Sequence, residues 1–96
     1  MTNPTDLKTL GKLGEELGEC ISAISRCLIQ GIDECEPVTG KLNRLWLQEE
    51  IADVLAGLGL TIERFEPDKD FIQRRVVKKM EQLRVWHAMK TPGGDA

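Results

Sequence analysis

Leu10, Leu13, Leu17, Ile21, Ile24 and Leu28 recur at intervals of three and four residues, a spacing that an α-helix turns into one apolar stripe. The same spacing returns in Leu47, Ile51, Val54, Leu58, Ile62 and Phe65, and again in Ile72, Val76, Met80, Leu83 and Trp86. No segment alternates apolar and polar residues as a half-buried strand would. The chain is therefore expected to be all-α, with three main helices. The first should run from about Pro4 to about Ile29. Asn3 suits its N-cap, Pro4 its first helical position, and Asp6 the positive end of its dipole. Residues 30 to 40 read as a linker broken by Gly31, Pro37 and Gly40. The second helix should run from about Leu42 to Phe65. Glu66-Pro67-Asp68 then starts the third, which Thr91-Pro92-Gly93-Gly94 ends.

Three such helices do not close a bundle easily, because the first two are each about 36 Å long. A four-helix core is the stable solution, so the expected assembly is a homodimer, or a homotetramer built as a dimer of dimers. Residues 1–90 read as one all-α domain and 91–96 as a flexible tail. Gly11, Gly14, Gly18, Ser22 and Ser25 form a second stripe on the first helix. Each glycine costs roughly 1 kcal/mol against alanine in a helix interior, so three of them suggest that another helix backbone passes close by.

Charge narrows the classes of function. With 13 Lys and Arg against 16 Asp and Glu, the net charge is -3. That argues against a nucleic-acid polymer as partner, since such proteins carry a basic face. No apolar run reaches the roughly 18 residues of a membrane span, and Met1-Thr2-Asn3-Pro4 lacks the pattern of a signal peptide. Cys20, Cys27 and Cys35 are odd in number and widely spaced, which fits neither a zinc site nor a disulfide framework. Reduced cysteines and a cytoplasmic location follow as expectations. Cys20 and Cys27, seven apart, share a helix face and should pack.

The chemistry lies in two acidic pairs, Glu16 with Glu19 and Glu50 with Asp53. Residues three apart are neighbours on a helix surface, so each pair makes a two-carboxylate claw. On helical wheels Glu16 flanks the arc holding Cys20, Ala23 and Cys27, and Glu50 borders the stripe beside Gly57 and Thr61. Glu15 and Glu49 point to solvent. If the helices face each other, four carboxylates meet, at a cost that a hard cation such as Mg2+ relieves. Metal-assisted phosphate chemistry is the expected destination. Lys79 falls inside the third helix's apolar arc, aimed at the acids or a substrate phosphate unless its stem snorkels to solvent. Arg75 lies at the arc's edge. Trp46, one turn before Glu50, could stack on a base or simply pack. Lys41 and Arg44 could hold a polyphosphate or be ordinary surface. His87, the lone histidine, suits capping or packing better than general-base work.

Glu-Glu-Leu-Gly-Glu at 15–19 followed by Glu-Glu-Ile-Ala-Asp-Val-Leu at 49–55 resembles the MazG-like nucleoside triphosphate pyrophosphohydrolases, members of the all-α NTP pyrophosphatase superfamily. The resemblance covers roughly residues 8–88. It implies that Glu16, Glu19, Glu50 and Asp53 are metal ligands and catalytic residues, with Mg2+ as cofactor and Mn2+ as a substitute. It implies cleavage of a nucleoside triphosphate between the α and β phosphates, giving the monophosphate and pyrophosphate. Glu19 or Glu16 would orient the attacking water, and Lys79 or Arg75 would steady the departing pyrophosphate. Lys79-Met80 with Arg84 resembles a basic segment that many members carry on a later helix. The chain departs from some members at Leu83, where they have asparagine, and its stretch between the motifs is long. Phosphoribosyl-ATP pyrophosphohydrolases share the acidic helices, but there the second motif is usually followed by Tyr-His, where this chain has Ala56-Gly57. A helical dimerisation module without activity is the competing expectation from another class.

Overall fold

A computed structural model of the protein describes residues 3–86. It holds three helices and, among the described residues, no strand: α1 (Pro4–Gln30), α2 (Asn43–Phe65) and α3 (Lys69–Val85). No helix among them is long and apolar enough to cross a membrane. The chain divides into two compact units, 1–65 and 66–96. His87 and the expected tail lie outside the described residues.

The ends of α1 form as the sequence implies. The Asn3 carboxamide oxygen accepts from the Thr5 amide at 2.7 Å, and Pro4 opens the helix. Gly31 closes it, donating its amide to the Cys27 carbonyl at 3.0 Å with φ at +105°, a backbone conformation that favours glycine.

From Gly31 the chain makes a compact turn rather than an open loop. Cys35 and Leu42 pair in an isolated antiparallel bridge. Inside it the Glu36 carboxylate accepts from the amides of Val38 and Thr39 and from the Thr39 hydroxyl, at 3.0, 2.7 and 2.8 Å. Gly40 turns the chain back at φ +74°. Asn43, the first residue of α2, is fully buried; its amide side chain donates to Gln30 Oε1 and the Gly31 carbonyl, both at 3.0 Å. Asn43 thus ties the end of α1 to the start of α2.

α1 and α2 then run antiparallel in one register. Asp6 pairs with Arg64, Leu13 meets Gly57, and Cys27 Sγ lies 3.8 Å from the Asn43 carbonyl. The close approach is at Gly57, where a Cβ would come 3.2 Å from Leu13 Cδ1. The stripe of Gly11, Gly14 and Gly18 does not play the expected part within the chain: a Cβ on any of them would meet nothing within 4 Å. Ser22 and Ser25 bond back to the carbonyls of Gly18 and Ile21 on their own helix.

The apolar stripes are only partly covered. Among the described residues Ala23 is the one buried apolar side chain. Leu13, Leu47, Val54 and Ile62 are half-buried, whereas Leu17, Ile21, Ile51 and Leu58 remain exposed. The physical reason is that two helices meet along a single line, while each stripe spans a wider arc.

The second unit begins after Glu66, which adopts a positive φ of 49°. Asp68 caps α3, accepting from the Phe71 amide at 3.0 Å. Ile72 is half-buried; Val76, Met80, Leu83 and Trp86 are exposed.

Candidate metal centre

The antiparallel register that sets Leu13 against Gly57 brings the middle of α1 beside the middle of α2. Glu16, Glu19, Glu50 and Asp53 each offer a carboxylate oxygen there, and the four atoms all lie within 4.8 Å of one another. Glu16 and Glu50 are half-buried and form the inner part of the cluster; Glu19 and Asp53 are exposed. Glu15 and Glu49, the neighbours expected to face solvent, are exposed.

The cluster is electrostatically unbalanced. Burial, then the charges of Glu19, Asp53, Glu16 and Glu49, push the Glu50 carboxyl above its usual range. Lys12 gives partial relief at one edge, with Nζ 3.4 Å from Glu16 Oε1 and 3.5 Å from Glu15 Oε2. The other oxygen of Glu16, Oε2, is buried and has no hydrogen-bond partner, and neither has Glu50 Oε2. An acceptor-only atom left bare in this way costs on the order of 1–3 kcal/mol, more when charged.

Those orphaned oxygens test the fit of a metal. Opposite oxygen ligands of Mg2+, at roughly 2.1 Å each, stand about 4.2 Å apart. The observed spread is close to that, and all the donors are hard carboxylate oxygens, the type Mg2+ and Mn2+ take. The residues present fit such an ion. Lys12 also lines an open groove of about 500 Å³ with Lys8, Leu13, Gly57 and Arg64, a groove that none of the four acids lines.

One turn before Glu50 stands Trp46, half-buried, with its Nε1 buried and without a hydrogen-bond partner. The Arg26 guanidinium carbon lies 3.9 Å from the centre of its ring and Lys41 Nζ 5.0 Å. Lys41 is engaged with Glu49 at 2.6 Å. Arg44 is gripped by Asp33, Nε to Oδ1 at 2.7 Å and Nη2 to Oδ2 at 3.1 Å. The pairing holds the Asp33 carboxyl below its usual value and raises that of Arg44. Both expected polyphosphate holders thus have carboxylate partners: Arg44, on α2, is tied to Asp33 in the linker, and Lys41 to Glu49. Arg75, Lys79 and Arg84 lie on α3, in the second unit, and all three are exposed.

Sequence reasoning passed over Arg26 and Asn43. Arg26 had a signal: it is seven residues after Glu19 and so lies on the same helical face. Asn43 had a weaker one, an amide residue at a helix start. The three cysteines are free thiols, with Cys20 and Cys27 half-buried on one face of α1.

No protein-family model matches the chain, and no curated protein or solved structure shows significant similarity to it.

Proposed function

We propose that the protein is a Mg2+-dependent nucleotide pyrophosphohydrolase of the MazG-like type, hydrolysing a nucleoside or deoxynucleoside triphosphate to the monophosphate and pyrophosphate. The observation that carries this reading is the convergence of Glu16, Glu19, Glu50 and Asp53 with two buried, unpartnered carboxylate oxygens among them. Like charges brought this close disfavour one another's ionised form. Here the fold holds them together against their repulsion, a strain that a bound cation relieves.

In this reading the inner oxygens of Glu16 and Glu50 and the outer carboxylates of Glu19 and Asp53 hold the ion. When bound, the ion supplies charge neutralisation at phosphate oxygens and a more acidic water. Glu19, one of the two exposed carboxylates, would orient and deprotonate the water that attacks the phosphate chain. Lys12 keeps one Glu16 oxygen turned outward and leaves the other for the centre.

The proposal extends to assembly. The half-covered stripes of α1 and α2, with Ala23 the one buried apolar side chain among the described residues, support a homodimer in which a second helical pair completes a four-helix core. Sedimentation equilibrium tests that part, and a monomer at micromolar concentration would end it.

For the activity, the test is a pyrophosphate-release screen over canonical and modified nucleoside triphosphates with Mg2+ or Mn2+, with phosphoribosyl-ATP as one further arm. The expected result is turnover of at least one triphosphate, abolished by Glu50→Gln. No turnover across the whole panel would sink the reading. A dimerisation module would give the same sedimentation result but no stabilisation by Mg2+.

A further inference from the structure

The cations around the acid cluster differ in how far they are already engaged. Lys41 is paired with Glu49, Arg44 with Asp33, Arg64 with Asp6 and Lys12 with Glu15 and Glu16. Arg26 forms no ion pair with any carboxylate among the described residues; it is seated over the Trp46 ring at 3.9 Å, and Glu36 feels its charge from further off. Glu36 is itself occupied by three donors of its own turn. Arg26 is half-buried rather than loose in solvent.

This arrangement has a chemical meaning. An indole face holds a guanidinium by the ring's quadrupole without using its N–H donors, which lie in the guanidinium plane. The side chain is restrained while its hydrogen-bonding fork stays open. Such a fork suits phosphate oxygens, which it can meet two at a time. The position also fits. Trp46 precedes Glu50 by four residues, or about 6 Å along α2, and Arg26 follows Glu19 by seven, or about 10 Å along α1. A phosphate chain held at the carboxylates and running toward the linker would therefore come within reach of Arg26.

Resting on the pyrophosphohydrolase reading, we infer that Arg26 is a substrate-binding residue that grips the polyphosphate chain of the nucleotide, with Trp46 as its positioning residue. The role expected of Lys41 and Arg44 passes to Arg26, because those two cations already have carboxylate partners. Trp46 then serves the site through Arg26 and not as an open platform for a base.

The test uses the full chain in a Trp86→Phe background, which leaves Trp46 as the single tryptophan. Inorganic tripolyphosphate with Mg2+ is titrated while Trp46 emission is followed, and pyrophosphate release is measured on the best nucleotide. Arg26→Met should raise KM about tenfold or more with kcat within about threefold, and should abolish the saturable emission change. Arg26→Lys should recover only part of the loss, since its ammonium lacks the planar fork. Mn2+ affinity without nucleotide, by calorimetry, should be unchanged in both variants, which shows that the carboxylate cluster is intact.

If the parent turns over a nucleotide and Arg26→Met matches it in KM and emission, the inference is overturned and the pyrophosphohydrolase reading stands. If no nucleotide is turned over but tripolyphosphate gives an emission change that Arg26→Met loses, the hydrolase reading falls and the Arg26 phosphate site stands. A parent with neither turnover nor emission change overturns both.

Discussion

Glu36 in the linker and Glu50 in the acid cluster carry the same carboxyl group, and the fold shifts them in opposite directions. Three donors from Val38 and Thr39 surround Glu36 and hold it below its usual value. Burial and four neighbouring acids push Glu50 above it. The groups around the linker resemble Glu36: Asp33 is paired with Arg44, and the Asn43 amide donates twice. The cluster follows Glu50, with two buried oxygens unpartnered. Most polar groups that hold the turn find partners within the chain, although Asn43 Oδ1 is buried without one. Glu16 Oε2 and Glu50 Oε2 differ in being carboxylate oxygens set beside other carboxylates, where lacking a partner costs more.

The largest expected effect breaks the contrast at its cluster end. Glu50→Gln should weaken Mn2+ binding by more than about 100-fold, beyond the usual cost of losing a residue that merely supports a metal ligand. Calorimetry reads this directly. The metal-free variant should melt no lower than the parent, because a repelled charge has been removed. A metal-free variant that melts well below the parent would mean that Glu50 holds the fold together, and the contrast with the linker would be lost. In the parent, Mg2+ at 100 times its Kd should add about 2.7 kcal/mol of stability, and Asp53→Asn should forfeit most of it.

At the linker end the sign reverses. Asn43→Ala removes a fully buried side chain and strands Gln30 Oε1 and the Gly31 carbonyl, its two acceptors. Urea unfolding should show a loss of about 1–3 kcal/mol, with metal affinity little changed once the protein is folded. A loss of metal binding in the folded variant would mean that the linker and the cluster are one functional unit.

The helices and the four acids were legible because both depend on periodicity alone. Apolar spacing of three and four defines a face, and an acid beside that face is half-buried wherever the helix packs. The ends of α1 were legible for a similar reason, since Asn3 and Gly31 act within a few residues of themselves. The Arg26–Trp46 contact was not, because it needs the register between two helices and joins residues 20 apart in sequence. The compactness of the linker was hidden as well: Glu36 caps a turn enclosed by the Cys35–Leu42 bridge, a pairing that no periodicity announces. Within the chain the expected close approach falls elsewhere than on the glycine stripe. Among the described glycines inside helices, the one that another helix approaches closely is Gly57, facing Leu13, while Gly11, Gly14 and Gly18 have nothing of their own chain within 4 Å.

A pH series on the metal-free protein sharpens the comparison further. Glu50 binds its proton more tightly in the folded state than its ordinary value of 4.5 allows in the unfolded chain. Its contribution therefore makes stability fall as pH rises from about 4.5 through the raised folded value. Glu36 does the opposite: its stabilising contribution is present above 4.5 and disappears as pH drops through its lowered folded value. Chemical denaturation across pH should give a curve whose rising acidic limb flattens in Glu36→Gln and whose falling limb flattens in Glu50→Gln. Exchanged effects, with Glu50→Gln altering only the acidic limb, would overturn the assignment of the two carboxylates. Because protons compete with metal at Glu50, added Mg2+ should abolish the falling limb in the parent.

The smallest expected effect addresses the face that neither region explains. Gly14→Ala introduces a methyl group into open space and removes the entropic cost of a helical glycine. In a chain that uses this face for nothing, it should stabilise by about 0.5–1 kcal/mol. Gly57→Ala is its control within the helical pair: the same gain in propensity is opposed by contact with Leu13 Cδ1 at 3.2 Å, so its net effect should be smaller or negative. If Gly14→Ala instead destabilises, and the loss grows on dilution, a second chain lies against the glycine stripe and the space beside α1 is filled in the assembled protein. Concentration dependence separates the two cases, because a purely intramolecular effect is the same at every protein concentration.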